Sequence, residues 1–86
     1  MTYFWREGYP ITVITEADGN PKRITWDWYA GTGDVWMIGD VWTVDDRWWT
    51  EREHRKYYKV ATEAGYALII FQDLLTLNWY IQWAFD

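Results

Sequence analysis

The chain predicts an all-β domain, an antiparallel meander of about six strands curled into a small barrel or half-barrel. Three observations carry that expectation. Apolar and polar residues alternate with period two in short stretches, most cleanly in Arg23-Ile-Thr-Trp-Asp-Trp-Tyr29 and Asn78-Trp-Tyr-Ile-Gln-Trp-Ala-Phe85. Glycine, proline, asparagine and aspartate cluster between such stretches, where they favour turns. No stretch reads as a long helix; Thr50-x-x-Glu53 matches a capping box, which supports at most one short helical turn near 51–55. A strongly twisted sheet of this size tends to curl on itself, and nine Trp, seven Tyr and three Phe supply bulk to fill it.

Taken in order, residues 1–9 read as a lead-in segment and 10–86 as the β domain, the whole forming one domain without an internal repeat or linker. Gly8 and Pro10 act as breakers, and Pro10 can open a strand without costing a ladder bond. Ile11-Thr-Val-Ile-Thr15 is β-branched throughout and reads as a strand. Asp18-Gly19 and Asn20-Pro21 predict a hairpin turn. The next strand places Ile24, Trp26 and Trp28 on one face, and Gly31-x-Gly33 turns the chain. Val35 to Val44 follows as a longer strand in which Asp40 interrupts an apolar stripe and Gly39 predicts a bulge. Asp45-Asp46 reads as a turn. Strand alternation resumes over Lys56–Thr62, with Tyr58 and Val60 inward and Lys59 outward. Glu63-Ala-Gly65 makes a tight turn into Tyr66-Ala-Leu-Ile-Ile-Phe71, the most apolar segment and the expected central strand. Residues 72–77 connect to a closing strand with Trp79, Ile81, Trp83 and Phe85 on one face.

At 86 residues the chain buries roughly 60–65% of its unfolded surface, so its core must be dense. Each buried aromatic removes ~150–250 Å² from water, about 4–6 kcal/mol gross. No Cys is present for a disulfide or a thiolate metal site. The first residues carry no basic stretch followed by an apolar one, and the run Tyr66–Phe71 is far shorter than the about 20 residues a membrane helix needs. The expectation is a soluble cytoplasmic protein without cofactor and without membrane contact.

The stretch Trp42–Lys59 concentrates the candidate surface. Residues 45–59 hold Arg47, Arg52, Arg55, Lys56 and Lys59 against Asp45, Asp46, Glu51 and Glu53, a local excess of one positive charge in a chain of net charge −5. The acidic total argues against a duplex-DNA binder. Interleaved with Trp48, Trp49, Tyr57 and Tyr58, those cations form the basic-aromatic mixture that binds single-stranded nucleic acid, while local pairs such as Glu51 with Arg55 give the plainer reading of a solvated loop. Trp48-Trp49 is either a contact pair or one residue on the core and one on the surface, because neighbours in an extended chain point to opposite faces. Asp45, Asp46, Glu51, Glu53 and His54 lack the orienting partner or paired pocket that acid-base chemistry requires, and the chain contains neither Ser nor Cys as nucleophile. No catalysis and no metal site is expected. Trp26, Trp28, Trp36, Trp42, Trp79 and Trp83 fall at strand spacing and are expected in the core.

Val44-Asp-Asp-Arg-Trp-Trp49, then Tyr57-Tyr-Lys-Val60, then Asp73 with Trp79-Tyr-Ile81 and Phe85-Asp86, form a pattern. Over roughly residues 22–86 it resembles a small bacterial domain of unknown function found alone and at the C-terminus of ImuB-type proteins. Those are catalytically inactive relatives of Y-family DNA polymerases in a damage-induced mutagenesis cassette. The resemblance implies an accessory or protein-contact module linked to translesion DNA synthesis or DNA repair. This chain is more acidic than that pattern and has Trp26-Asp-Trp-Tyr29 where a basic strand is more usual. The expected interaction surface is Arg47, Trp48, Trp49, Arg52, Arg55, Lys56, Tyr57 and Lys59, facing a protein partner or, alternatively, single-stranded nucleic acid. A sheet edge that pairs with a second copy would make a homodimer rather than a monomer.

Overall fold

The computed structural model describes residues 2–26, 32–48, 51–63 and 65–85. Six strands follow one another: β1 (Thr2–Thr15), β2 (Pro21–Thr25), β3 (Thr32–Trp48), β4 (Glu51–Thr62), β5 (Ala67–Asp73) and β6 (Trp79–Phe85). Each pairs antiparallel with the next, and β6 returns to β1, so the hydrogen bonds close into a ring. The ring is not a regular barrel. β2 is only five residues long and bridges two strands of 14 and 17 residues, leaving most of each without a second neighbour.

Local chemistry accounts for the connections. Between β1 and β2, Gly19 takes φ +89°, the Asn20 backbone N–H donates to Asp18 Oδ1 at 2.9 Å, and the Gly19 N–H donates to the Glu16 carbonyl at 2.9 Å. This is the predicted hairpin. Between β4 and β5, Gly65 takes φ +94° and donates to the Thr62 carbonyl. Thr62 is the one buried polar residue among those described; its hydroxyl lies 3.3 Å from both the Tyr66 carbonyl and the Tyr66 N–H, so it leaves no lone group in the core. The register sets Arg23 opposite Asp34, and their side chains form an exposed 2.7 Å ion pair. The hydrogen bond from Arg23 holds the Asp34 carboxyl below the usual carboxylate range.

The interior follows the alternation expected of the sequence on β2, β4 and the start of β6, and the apolar run of β5 joins it. Ile24 and Trp26, Tyr58 and Val60, Leu68 and Ile70, and Trp79 and Ile81 are all buried in one cluster, while Lys59 faces out. β5, the most apolar strand, is central between β4 and β6. The bulge expected at Gly39 is present as a register shift between Ile38 and Val41.

Five local expectations give way. Residues 1–9 are no lead-in from Thr2 onward: Thr2, Tyr3 and Phe4 pair with Phe85, Ala84 and Trp83, because the ring needs β1 to cover the open side of β6. Asp45 and Asp46 make no turn, since they pair with His54 and Glu53 inside the β3–β4 ladder. The helical turn near 51–55 is strand for the same reason; a ladder that satisfies each backbone group outweighs a weak local cap. β5 runs on to Asp73, where the Leu75 N–H is capped by Asp73 Oδ1 at 2.8 Å. A bulge in β6 opposite Ile69–Ile70 turns Ala84 inward and sends Trp83 and Phe85 to the outer face, where Trp83 packs 4.3 Å from the Phe4 ring. Trp28 and the Gly31 end of the predicted turn lie outside the described residues. No helix of the described chain is long and apolar enough to cross a membrane.

Candidate functional site

β3 is the element that positions the candidate surface. It pairs with β4 along almost its whole length, from Val35 opposite Thr62 to Trp48 opposite Glu51, but with β2 only from Thr32 to Asp34. Among the described residues, no strand lies against its other edge from Val35 onward. An open edge presents a row of backbone donors and acceptors to water or to another chain. Two irregularities interrupt its first part, one at Trp36 and one at Gly39-Asp40, and from Val41 to Trp48 the pairing with β4 is regular.

The apolar side chains along this edge are exposed: Trp36 at 62%, and Met37, Val41 and Trp42 between 38% and 49%. Composition does not require this, since the same chain buries Trp26 and Trp79. Large apolar side chains are thus concentrated along one open strand. Trp36 and Trp42 therefore leave the core that their spacing suggested. Four apolar residues in a row, Val35-Trp36-Met37-Ile38, cannot all face one side of a strand, and the bulge at Trp36 lets Val35 and Ile38 pack inward while Trp36 and Met37 face out.

Trp42 also begins a row that crosses the outer face of the sheet. Register sets Trp42 opposite Tyr57, Tyr57 opposite Phe71 and Phe71 opposite Tyr80. Their ring centroids are 5.3, 5.2 and 5.1 Å apart, with Trp42 and Tyr57 parallel to within 3°. Such cross-strand aromatic contacts stabilise a sheet beyond the area they bury. The β1 bulge between Phe4 and Tyr9 closes over the row at Gly8, whose φ is +90° and where a Cβ would lie 2.6 Å from the Tyr80 Cβ and 2.8 Å from the Phe71 ring. Phe71 is left 1% exposed although it lies outside the main core.

Beside this row is a cleft of about 870 Å³, with Arg6, Glu7, Glu53, Arg55 and Asp73 around Tyr57, Phe71 and Tyr80. The Arg55 guanidinium lies 4.5 Å from the centre of the Phe71 ring, 3.4 Å from the Tyr57 hydroxyl and 3.7 Å from Glu53. Burial works against its charge, but the Tyr57 hydroxyl, Glu53 and Asp73 outweigh it and hold the pKa above the ordinary arginine value. Two arginines against three carboxylates give the cleft a formal charge of −1.

The described residues of the predicted surface do not form one face. Arg55, Tyr57 and Lys59 share the outer face of β4; Tyr57 is buried, Arg55 is held in the cleft and Lys59 is exposed. Lys56 points to the inner side, 5.4 Å from the Tyr58 ring. Arg47 and Arg52 are cross-strand partners in the β3–β4 ladder, as are Trp48 and Glu51. The side chains of Arg47, Trp48 and Arg52, and all of Trp49, lie outside what the structure describes. Among the described residues, no group of three His, Asp or Glu side chains could hold a metal ion. Compared with known proteins, the chain matches no family model, no curated protein and no solved structure.

Proposed function

We propose that the chain is a small non-catalytic protein-contact module and that the open edge of β3 is its contact surface. The observation that carries this reading is the exposure of Trp36, Met37, Val41 and Trp42 along a strand with one free edge. The likeness of Val44–Trp49 and the closing aromatic strand to the domain of ImuB-type proteins supplies the setting: an accessory role in translesion DNA synthesis or repair, in the bacterial cytoplasm. The single-strand alternative has less support, because Lys56 and Arg55 face opposite sides of β4 and the cleft beside Arg55 carries net negative charge.

Calorimetric titration against the ImuB-type protein of the same genome tests the reading. Binding that Trp36→Ser weakens at least about tenfold, with thermal stability retained, is the expected result; a hot-spot tryptophan contributes that much or more. No binding to that protein, combined with salt-sensitive binding to a labelled single-stranded oligonucleotide, would replace the proposal with the nucleic-acid reading.

A further inference from the structure

We infer that the cleft beside Arg55 is a binding site for a free α-amino acid, whose carboxylate pairs with Arg55 and whose ammonium pairs with Glu53. This goes beyond the protein-contact reading and does not rest on the β3 edge. The cleft, about 870 Å³, lies between the β1 bulge, which supplies Arg6 and Glu7, and the β3–β4 hairpin, which supplies Val44, Glu53 and Arg55. That is room for a small molecule.

Arg55 is the group that points to a ligand. Its side chain is only 19% exposed, and its guanidinium stands over the Phe71 ring at 4.5 Å. A guanidinium carries several N–H donors in a planar fork. Among the described residues, its polar neighbours are the Tyr57 hydroxyl at 3.4 Å and Glu53 at 3.7 Å, both beyond the about 2.7–3.2 Å of an ordinary hydrogen bond. A half-buried charge without a close partner is costly, and a carboxylate fits the fork with two short bonds. The chain's own carboxylates leave that place open. Asp73 Oδ1 accepts the Leu75 N–H at 2.8 Å, and Glu53 stands off Arg55 on a side chain that is 52% exposed.

Charge and span select the ligand. Arg6 and Arg55 against Glu7, Glu53 and Asp73 leave the cleft at −1, so a simple acid would raise the negative excess, while a zwitterion adds nothing to it. A cation alone would leave Arg55 unmet. Arg55 and Glu53 present one positive and one negative group 3.7 Å apart. An α-amino acid carries the complementary pair, its nitrogen and carboxylate oxygens roughly 3 Å apart by covalent geometry, so both groups are met side by side. A peptide terminus carries only one of the two charges. Tyr80, half-buried and lining the same cleft, gives the ligand's side chain an aromatic wall.

The test uses the full chain and four probes, read by amide chemical-shift titration, which gives both affinity and location. The probes are glycine, L-phenylalanine, 3-phenylpropionate, which lacks the ammonium, and phenethylamine, which lacks the carboxylate. Phenylalanine is expected to bind at about 1 mM or tighter, with shifts centred on Gly8, Glu53, Arg55 and Tyr80. Glycine is expected to shift the same amides more weakly. Each one-charge analogue is expected to bind at least about tenfold more weakly than phenylalanine. Arg55→Lys keeps the charge and the stacking on Phe71 but loses the fork, and is expected to weaken phenylalanine about tenfold. Glu53→Gln, at an exposed position, is expected to weaken phenylalanine about three- to tenfold while 3-phenylpropionate binds as well or better. A merely structural role would not separate the two ligands in this way.

Cleft amides that respond to neither glycine nor phenylalanine overturn the inference. Equal affinity for phenylalanine and 3-phenylpropionate overturns the role of Glu53 and makes the cleft a site for a simple acid. Tighter binding of phenethylamine overturns the pairing with Arg55. Phenylalanine affinity unchanged in both variants places the ligand elsewhere and overturns the site. The titration against the ImuB-type protein reports separately on the protein-contact reading.

Discussion

At the scale of the residue, two backbone positions carry opposite lessons. Gly8 is required: φ is +90° and any Cβ would overlap Tyr80 and the Phe71 ring, so Gly8→Ala must shift the row of aromatics beneath it. Overpacking of about 1–3 kcal/mol and a left-handed backbone cost of about 1–2 kcal/mol make a loss of roughly 2–5 kcal/mol the expected result in urea denaturation. A loss below ~0.5 kcal/mol would mean that the β1 bulge does not rest on Phe71. Leu77 is the reverse case, a residue with a Cβ held at φ 68° in the turn after β5, its side chain 63% exposed. Its N–H donates to the Asp73 carbonyl at 2.6 Å, which fixes the turn whatever side chain is present. Leu77→Asn, which tolerates this conformation, is expected to raise stability by up to about 1 kcal/mol. A drop of similar size in the thermal midpoint would show that the leucine packs on a neighbour.

At the scale of the element, β3 decides what was legible in the sequence. The alternation of β2 and of Tyr58 and Val60 in β4 was readable because those residues keep a period of two against the main core, whereas β5 was readable only as an apolar run. β3 and β6 contain bulges, and one extra residue reverses which face the following side chains take. Gly39 announced one bulge in the residues themselves; the bulges at Trp36 and in β6 have no comparable marker, so Trp36, Trp83 and Phe85 were assigned to the wrong side. The described part of the candidate surface divides for a related reason. The basic-aromatic run 47–59 looked like a loop, yet inside a ladder its alternate residues part to opposite faces, while the exposed apolar edge a few residues earlier looked like core. The consequence is a sharp contrast between two tryptophans ten positions apart in the chain. Trp26→Ala, in the buried cluster, is expected to cost about 3–5 kcal/mol, and Trp36→Ser within about 0.5 kcal/mol of nothing. Comparable losses in chemical denaturation would place Trp36 in the core after all.

At the scale of the whole molecule, a five-residue β2 closes a ring whose two flanking strands are about three times its length. The long β3–β4 hairpin extends past the point where β5 stops pairing at Arg55, and the dimensions of 40 × 30 × 21 Å reflect it. The radius of gyration, 12.7 Å, exceeds the about 12 Å of a compact chain of this length. Two packed layers hold this shape without a disulfide: the interior cluster around Ile24, Ile70 and Ile81, and the aromatic row Trp42–Tyr57–Phe71–Tyr80 on the outside. The proposal depends on one property of this architecture, that β3 keeps a free edge in the protein in solution. Residue-resolved amide hydrogen exchange on the free chain measures it most directly. From Val41 to Trp48, amides bonded to β4 should be protected and those on the other edge should exchange quickly, giving a period-two pattern along the strand. Uniform protection across those residues would mean that the edge is already covered and would contradict the account.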